Sequence, residues 1–186
     1  HDDLPCMDND SFRRGKPSTH KKYGEASAVL AGSSLLTLAF EIIADNNFMI
    51  NSKSKNDIIR SLAKCSGHTG IAGGQELDLK FENKKKKIDE ILDMQKKKTG
   101  KLFNFCLYAV SVVANKNSKE KKYLSNLGEE IGLLFQLTDD FLDIKGSKKL
   151  TGKSVKKDNK NGKSTLVNLV GEKKAYLYAF NLKKKI

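Results

Sequence analysis

The chain has 186 residues, 38% hydrophobic and 31% charged, which is enough apolar material for one soluble domain with a heavily solvated surface. Cys6, Cys65 and Cys106 are odd in number and form no C-x-x-C pair, which argues against a disulfide framework and a zinc site and for reduced thiols. The net charge of +13 invites a nucleic-acid reading, but every basic residue except Arg13, Arg14 and Arg60 is lysine, so a solvated basic surface of compositional origin is the better explanation.

Two prolines and few runs of alternating polarity point to an all-α chain. Residues 1–22 are polar and turn-rich, and read as a helix end followed by a basic loop closed by Gly15 and Pro17. The adjacent Arg13 and Arg14 suit bidentate recognition of phosphate. From about Tyr23 to Asp45 an apolar run mixed with Ala, Gly and Ser predicts a long buried helix. Interrupted by Ser27, Ser33, Ser34 and Thr37, it falls short of the roughly 20 apolar residues of a membrane span. No basic-then-apolar leader precedes it, and the chain opens on His1 rather than Met.

Helical spacing resumes over Asp57 to Lys64, and a glycine-tolerant helix carries Gly73-Gly74-Gln75 and Asp78-Leu79. Glu82 to Lys98 is amphipathic and basic. A buried helix is expected from about Thr99 to Ala114, a surface connection over Lys116 to Lys122, and a further helix from about Tyr123 to Ile144. Gly146 to Gly162 reads as a mobile loop, and Lys163 to Leu182 returns to a helical pattern.

Two acidic strings stand out. At about 100° per residue, Ile131, Leu134, Phe135, Thr138, Phe141 and Leu142 share one side of their helix, while Gln136, Asp139, Asp140 and Asp143, with Gly132, share an arc of about 100° on the other. Like charges so placed repel, so a cation is expected among them. Magnesium suits oxygen ligands completed by phosphate and water. An exposed acidic face would produce the same string. The first string, Asp2-Asp3-Leu4-Pro5-Cys6-Met7-Asp8, cannot sit on one face of a regular helix and contains Pro5; a loop or N-cap cluster is its bland explanation. Arg13, Arg14 and Lys16 follow it closely, and carboxylates for metal beside cations for phosphate are what a diphosphate site requires.

These strings, in order with Arg13-Arg14-Gly15-Lys16-Pro17, Tyr23-Gly24-Glu25-Ala26, Gly73-Gly74-Gln75, Asp78-Leu79, Lys98-Thr99-Gly100, Phe135-Gln136, Thr151-Gly152-Lys153 and Gly162-Lys163-Ser164-Thr165, resemble the polyprenyl synthases, the farnesyl/geranylgeranyl diphosphate synthase family. Two extra residues between the acidic pairs of the first motif place the likeness nearest the bacterial farnesyl diphosphate synthases. The resemblance implies an isoprenoid-synthase helical bundle around a central cavity. It also implies a magnesium-dependent trans-prenyltransferase that condenses dimethylallyl or geranyl diphosphate with isopentenyl diphosphate.

Asp2, Asp8, Asp139, Asp140 and Asp143 would hold Mg2+, with Asp140 and Asp143 assisting. Arg13 would contact the allylic diphosphate and Arg14 the isopentenyl diphosphate. Lys98, Thr99, Gln136 and Lys153 would surround the allylic diphosphate and the reacting carbon, as the catalytic set, and Lys163 would join from a closing loop. The chemistry agrees: ionisation of an allylic diphosphate is accelerated by groups that neutralise charge on the leaving oxygens. The family gives the departing proton to the released diphosphate, so His1, His20 and His68 read as structural or surface residues. Thr99 could instead be an N-cap, Gln136 a partner for a neighbouring acid, and Phe135 a core residue.

The family's opening helices, with a Lys/Arg pair and a His for isopentenyl diphosphate, are absent, so residues 1–186 read as one partial domain, weak or inactive alone. The residues that set product length lie upstream of the first motif; farnesyl is preferred to geranylgeranyl. The resemblance implies a cytoplasmic homodimer, without membrane insertion or nucleic acid. A non-catalytic subunit of the same fold, which would be expected to have lost one acidic motif, and a basic nucleic-acid-binding helical protein are the alternatives.

Overall fold

The structure, a computed structural model, describes residues 1–145 and 163–186. The expected loop at 146–162, with Thr151, Gly152, Lys153 and Gly162, lies outside the described residues. The all-α expectation holds: among the described residues, helices account for nearly all the regular structure, beside one small ribbon. The described residues divide into two compact units, 1–48 with 142–145, and 49–141 with 163–186.

In the first unit, residues 1–10 are not a helix end but a series of turns tied by backbone bonds from Leu4 N to His1 O, Asp8 N to Asp2 O and Asp10 N to Asp3 O. Pro5 and the repulsion of neighbouring carboxylates explain why no regular helix forms there. An antiparallel ribbon follows, β1 (Phe12–Arg13) and β2 (Lys16–Pro17), with Phe12 opposite Pro17 and Arg13 opposite Lys16. Arg14 and Gly15 link the strands with φ of 52° and 78°, the two positive values that a two-residue I′ hairpin turn demands. Gly15 adopts this conformation freely, whereas Arg14 is held in it against its preference.

After the ribbon come α1 (Thr19–Tyr23) and α2 (Glu25–Ala44). The expected buried helix is not buried: Ala28 alone is buried along α2, while Val29, Leu30, Leu35, Leu36, Leu38 and Ile42 are exposed. Its apolar residues are spread around the cylinder rather than gathered into a stripe, so one neighbour cannot cover them. Its length and composition are also sufficient to cross a membrane, contrary to the shortfall read from the sequence. A soluble protein's core helix passes the same test.

In the second unit, α3 (Ser52–Ser66) starts at Asn51, whose side chain accepts from Ser54 N at 2.9 Å. It packs along α6 (Lys101–Val113) through Ile58, Leu62 and Cys65. Helix α4 (Ile71–Phe81) and helix α5 (Ile88–Gln95) meet a π-helical turn, Lys96–Gly100, that runs directly into α6. Thr99 therefore lies inside a continuous helical path and is not an N-cap. Helix α7 (Ser118–Lys145) begins earlier than expected: Asn117 Oδ1 accepts from Glu120 N at 2.9 Å while Glu120 Oε2 accepts from Asn117 N at 3.0 Å, a reciprocal cap. The last helical stretch is two helices, α8 (Leu166–Val170) and α9 (Glu172–Lys185), broken at Gly171 with φ of 80°.

The core of this unit is formed by Ile91, Met94, Val112, Leu133, Leu137, Leu166 and Ala175, each no more than 3% exposed. Along α7 the covered stripe is Leu133, Leu137 and Asp140, with Gly132 also buried. Phe135, expected in the core, is 50% exposed and lies tilted against Phe103 with centroids 5.5 Å apart. Periodicity separated the two sides of α7 correctly but could not say which one its neighbours cover.

Candidate diphosphate site

Backbone proximity builds the site. A Cβ added at Gly74 would stand 2.2 Å from Lys98 N, and one at Gly132 would stand 2.6 Å from Gly100 Cα. Only glycine lets α4 and α7 touch the π turn from two sides. The widened turn between them carries Lys98 and Thr99, and such π segments recur at functional sites.

These elements line an open cleft with Asp78, Met94, Gln95, Lys98, Gln136, Asp140, Lys163, Ser164 and Thr165 on its walls, about 320 Å³ of space including its mouth. Lys98 Nζ donates to Asp78 Oδ2 at 2.5 Å, and Lys163 Nζ lies 3.5 Å from the same oxygen. The Asp78 side chain is only 7% exposed, so two ammonium groups converge on one buried carboxylate. Buried opposite charges so arranged are retained by their mutual pairing. Lys163 is held in place by its neighbours: Ser164 Oγ donates to the carbonyls of Phe81 and Lys84, each at 2.9 Å, and Asn168 Nδ2 donates to Lys163 O at 3.1 Å.

A second set of hydrogen bonds crosses the cleft floor. Thr99 Oγ1 donates to Gln136 Oε1 at 2.6 Å, and Gln136 Nε2 donates to Asp140 Oδ1 at 3.0 Å. From the far side Gln95 Nε2 donates to Asp140 Oδ2 at 2.8 Å. Asp140 is 3% exposed, so the exposed acidic face that could have explained this string does not describe it. Asp139 is exposed and Asp143 half-buried on the same helix. Gln95 was missed in the sequence, although it precedes Lys98 and Thr99 by three and four residues, the spacing that shares a helix face. Asp78 belonged to a quoted motif but carried no assigned role.

In the other unit, the Arg13 guanidinium grips Asp3 with two bonds, Nε to Oδ2 at 2.6 Å and Nη2 to Oδ1 at 3.0 Å. That hydrogen bond holds the Arg13 proton more firmly than usual despite some burial, and the charges of Asp3, Asp2 and Asp8 add to it. The first acidic string is thus gathered around its own arginine. Arg14 is exposed at the hairpin tip. Of the histidines, His1 Nε2 lies 2.9 Å from Val29 O, His20 is buried beside Ser18 Oγ at 3.2 Å, and His68 is exposed.

Among the described residues no three His, Cys, Asp or Glu side chains form a ready metal cage. Magnesium does not need one, because it is held through one or two carboxylates while phosphate oxygens and waters complete its shell. The donors here fit that chemistry. They are carboxylate oxygens, and the buried Oε1 of Gln95, on the cleft wall, has no hydrogen-bond partner among the described residues.

The sequence profile of the polyprenyl synthetase family matches residues 1–180. The chain is similar to farnesyl diphosphate synthase of Bacillus subtilis, 40% identical over 171 residues, covering 91% of this chain and 58% of that protein. It is equally similar to the Escherichia coli farnesyl diphosphate synthase, 40% identical over 177 residues, covering 94% of this chain and 59% of that one. Among solved structures, a Helicobacter pylori geranyltransferase complexed with magnesium and isoprenyl diphosphate superposes with a TM-score of 0.91 at 36% identity, covering all of this chain and 60% of that one. The chain therefore spans less than two thirds of these relatives' length.

Proposed function

The chain belongs to the polyprenyl synthetase family, and from that premise we propose that the protein carrying it condenses an allylic diphosphate, dimethylallyl or geranyl, with isopentenyl diphosphate to form a short-chain trans-prenyl diphosphate. Farnesyl is preferred to geranylgeranyl as the product. The observation that carries this reading is the convergence of Lys98 and Lys163 on Asp78 beside the amide-held Asp140. Two ammonium groups restrained in a cleft are suited to a leaving group that gains negative charge as its carbon–oxygen bond breaks.

Lys98 and Lys163 donate to the oxygens of the departing diphosphate. Asp78 fixes where those donors stand before substrate arrives, so little reorganisation is needed during ionisation. Thr99 and Gln136 border the reacting end of the allylic chain, Thr99 holding the Gln136 amide in one orientation. Lys153 is proposed as a further donor to the same diphosphate. In the first unit Arg13 exchanges the carboxylate of Asp3 for an allylic diphosphate oxygen, and Arg14 binds isopentenyl diphosphate. Asp2, Asp8 and Asp139 would supply oxygens for Mg2+, with Asp140 and Asp143 assisting. When bound, Mg2+ neutralises charge on the diphosphate oxygens. The proton lost on closing the new alkene passes to the released diphosphate. Residues 1–186 are taken as part of one synthase domain, working as a cytoplasmic homodimer.

The test is Mg2+-dependent incorporation of labelled isopentenyl diphosphate, primed with geranyl diphosphate, by this chain and by the full-length gene product that contains it. A prenyl diphosphate product one C5 unit longer supports the reading. A full-length product that binds both substrates yet forms no new prenyl diphosphate refutes it.

A further inference from the structure

Gln95 has a combination of properties that the reading above leaves unused. It is 3% exposed, ends α5 where the π turn begins, and lines the cleft. Its amide orientation is fixed by Asp140: Nε2 donates to Oδ2 at 2.8 Å, and the reversed amide would set oxygen against oxygen. The carbonyl oxygen Oε1 is consequently committed to the other direction, where it is buried without a hydrogen-bond partner among the described residues. A buried acceptor left unmatched is destabilising by about 1–3 kcal/mol, so a site that keeps one is arranged to receive a donor.

The chemistry of the cleft restricts what that donor is. Diphosphate oxygens are acceptors and would repel Oε1. Lys98 and Lys163 each contact Asp78, and their remaining N–H groups are those assigned to the diphosphate oxygens. A water bound to a divalent cation is a strong donor, and hydrated Mg2+ keeps several such waters. We propose that Gln95 is a positioning residue of the metal–diphosphate site: its amide nitrogen sets the Asp140 carboxylate, and its carbonyl oxygen accepts a hydrogen bond from a water in the cation's hydration shell. This inference rests on the reading of the cleft as a diphosphate site. It gives the residue a role toward the metal and none toward the diphosphate itself.

The experiment is calorimetric titration of the 186-residue chain with inorganic pyrophosphate, once with Mg2+ and once with EDTA, for the wild type and for Gln95→Met, a substitution that conserves volume and removes both polar atoms. Partners that orient a metal's ligands are commonly worth 10–100-fold in metal affinity, so Gln95→Met is expected to weaken pyrophosphate binding by about 10–100-fold with Mg2+. In EDTA it is expected to bind within about twofold of wild type, because Lys98 and Lys163 are untouched. Equal affinity of the two proteins in Mg2+ overturns the proposal. So does a parallel loss in both conditions, including loss through misfolding, since Gln95 would then serve the fold and not the metal. A wild-type chain that binds pyrophosphate no better with Mg2+ than with EDTA is a distinct result, which removes the diphosphate reading on which the inference stands.

Discussion

In the amino-terminal unit, leucines and isoleucines face solvent along α2, from Leu30 to Ile42, and Asp3 of the first motif holds Arg13, with the charges of Asp2 and Asp8 adding to the attraction. In the second unit the pattern is reversed: Gln75, Asp78, Gln95, Ser111, Asp140 and Thr165 are buried, as are Ile91, Leu133 and Leu137. Both regions nevertheless hold the cations proposed to bind phosphate in the same way. Arg13 rests on Asp3, and Lys98 and Lys163 rest on Asp78. The surroundings of the two carboxylates differ. The Asp78 side chain is 7% exposed, while Arg13 is 43% exposed and Asp3 16%. Burial shields the Asp78 cluster from water and salt and leaves the Arg13–Asp3 pair open to both.

The contrast is sharpest in the core. Leu137→Ala is expected to destabilise by about 2–5 kcal/mol, because a fully buried side chain leaves a cavity. Leu35→Ala, on a residue 68% exposed, should change stability by no more than about 0.5 kcal/mol. Urea unfolding followed by circular dichroism compares them, and equal losses would mean that α2 is covered in solution. A smaller effect separates the carboxylates. Asp3→Asn should lower stability by less than about 1 kcal/mol, since its ion pair is partly solvated. A loss above about 2 kcal/mol would place Asp3 in the same class as the buried Asp78.

The smallest effect is in the cap of α7. The Asn117 backbone N–H, and then Lys116, hold the Glu120 carboxyl below the ordinary value of 4.5. A carboxyl depressed by folding contributes stability above its unfolded value, and that contribution disappears as pH falls through the folded one. Carbon-detected NMR should therefore find a Glu120 midpoint below 4.5. A midpoint at or above that value would break the cap.

Much of this architecture was legible in the sequence because glycine, aspartate and lysine carry local instructions. Gly73-Gly74 announced a helix that tolerates glycine, which the structure explains by the approach of Gly74 to Lys98, and the stripe of Gln136, Asp139, Asp140 and Asp143 followed from helical period alone. The missing part was contextual. Periodicity finds two sides of a helix but not the covered one, so Phe135 was assigned to the core while Asp140 took the buried place. The α2 reading failed for the same reason: apolar composition does not supply a neighbour. Gln95 was overlooked because a glutamine is significant only through what it touches, here an aspartate 45 residues away.

The central claim is that the cleft between Asp78 and Asp140 is a diphosphate site driven by its lysines. Its most direct test is calorimetric binding of Mg2+ and pyrophosphate to the wild type and to Lys98→Met. Loss of about 100-fold in affinity in the variant, with a melting temperature within a few degrees of wild type, is the expected result for a primary phosphate donor. Unchanged affinity in Lys98→Met would contradict it.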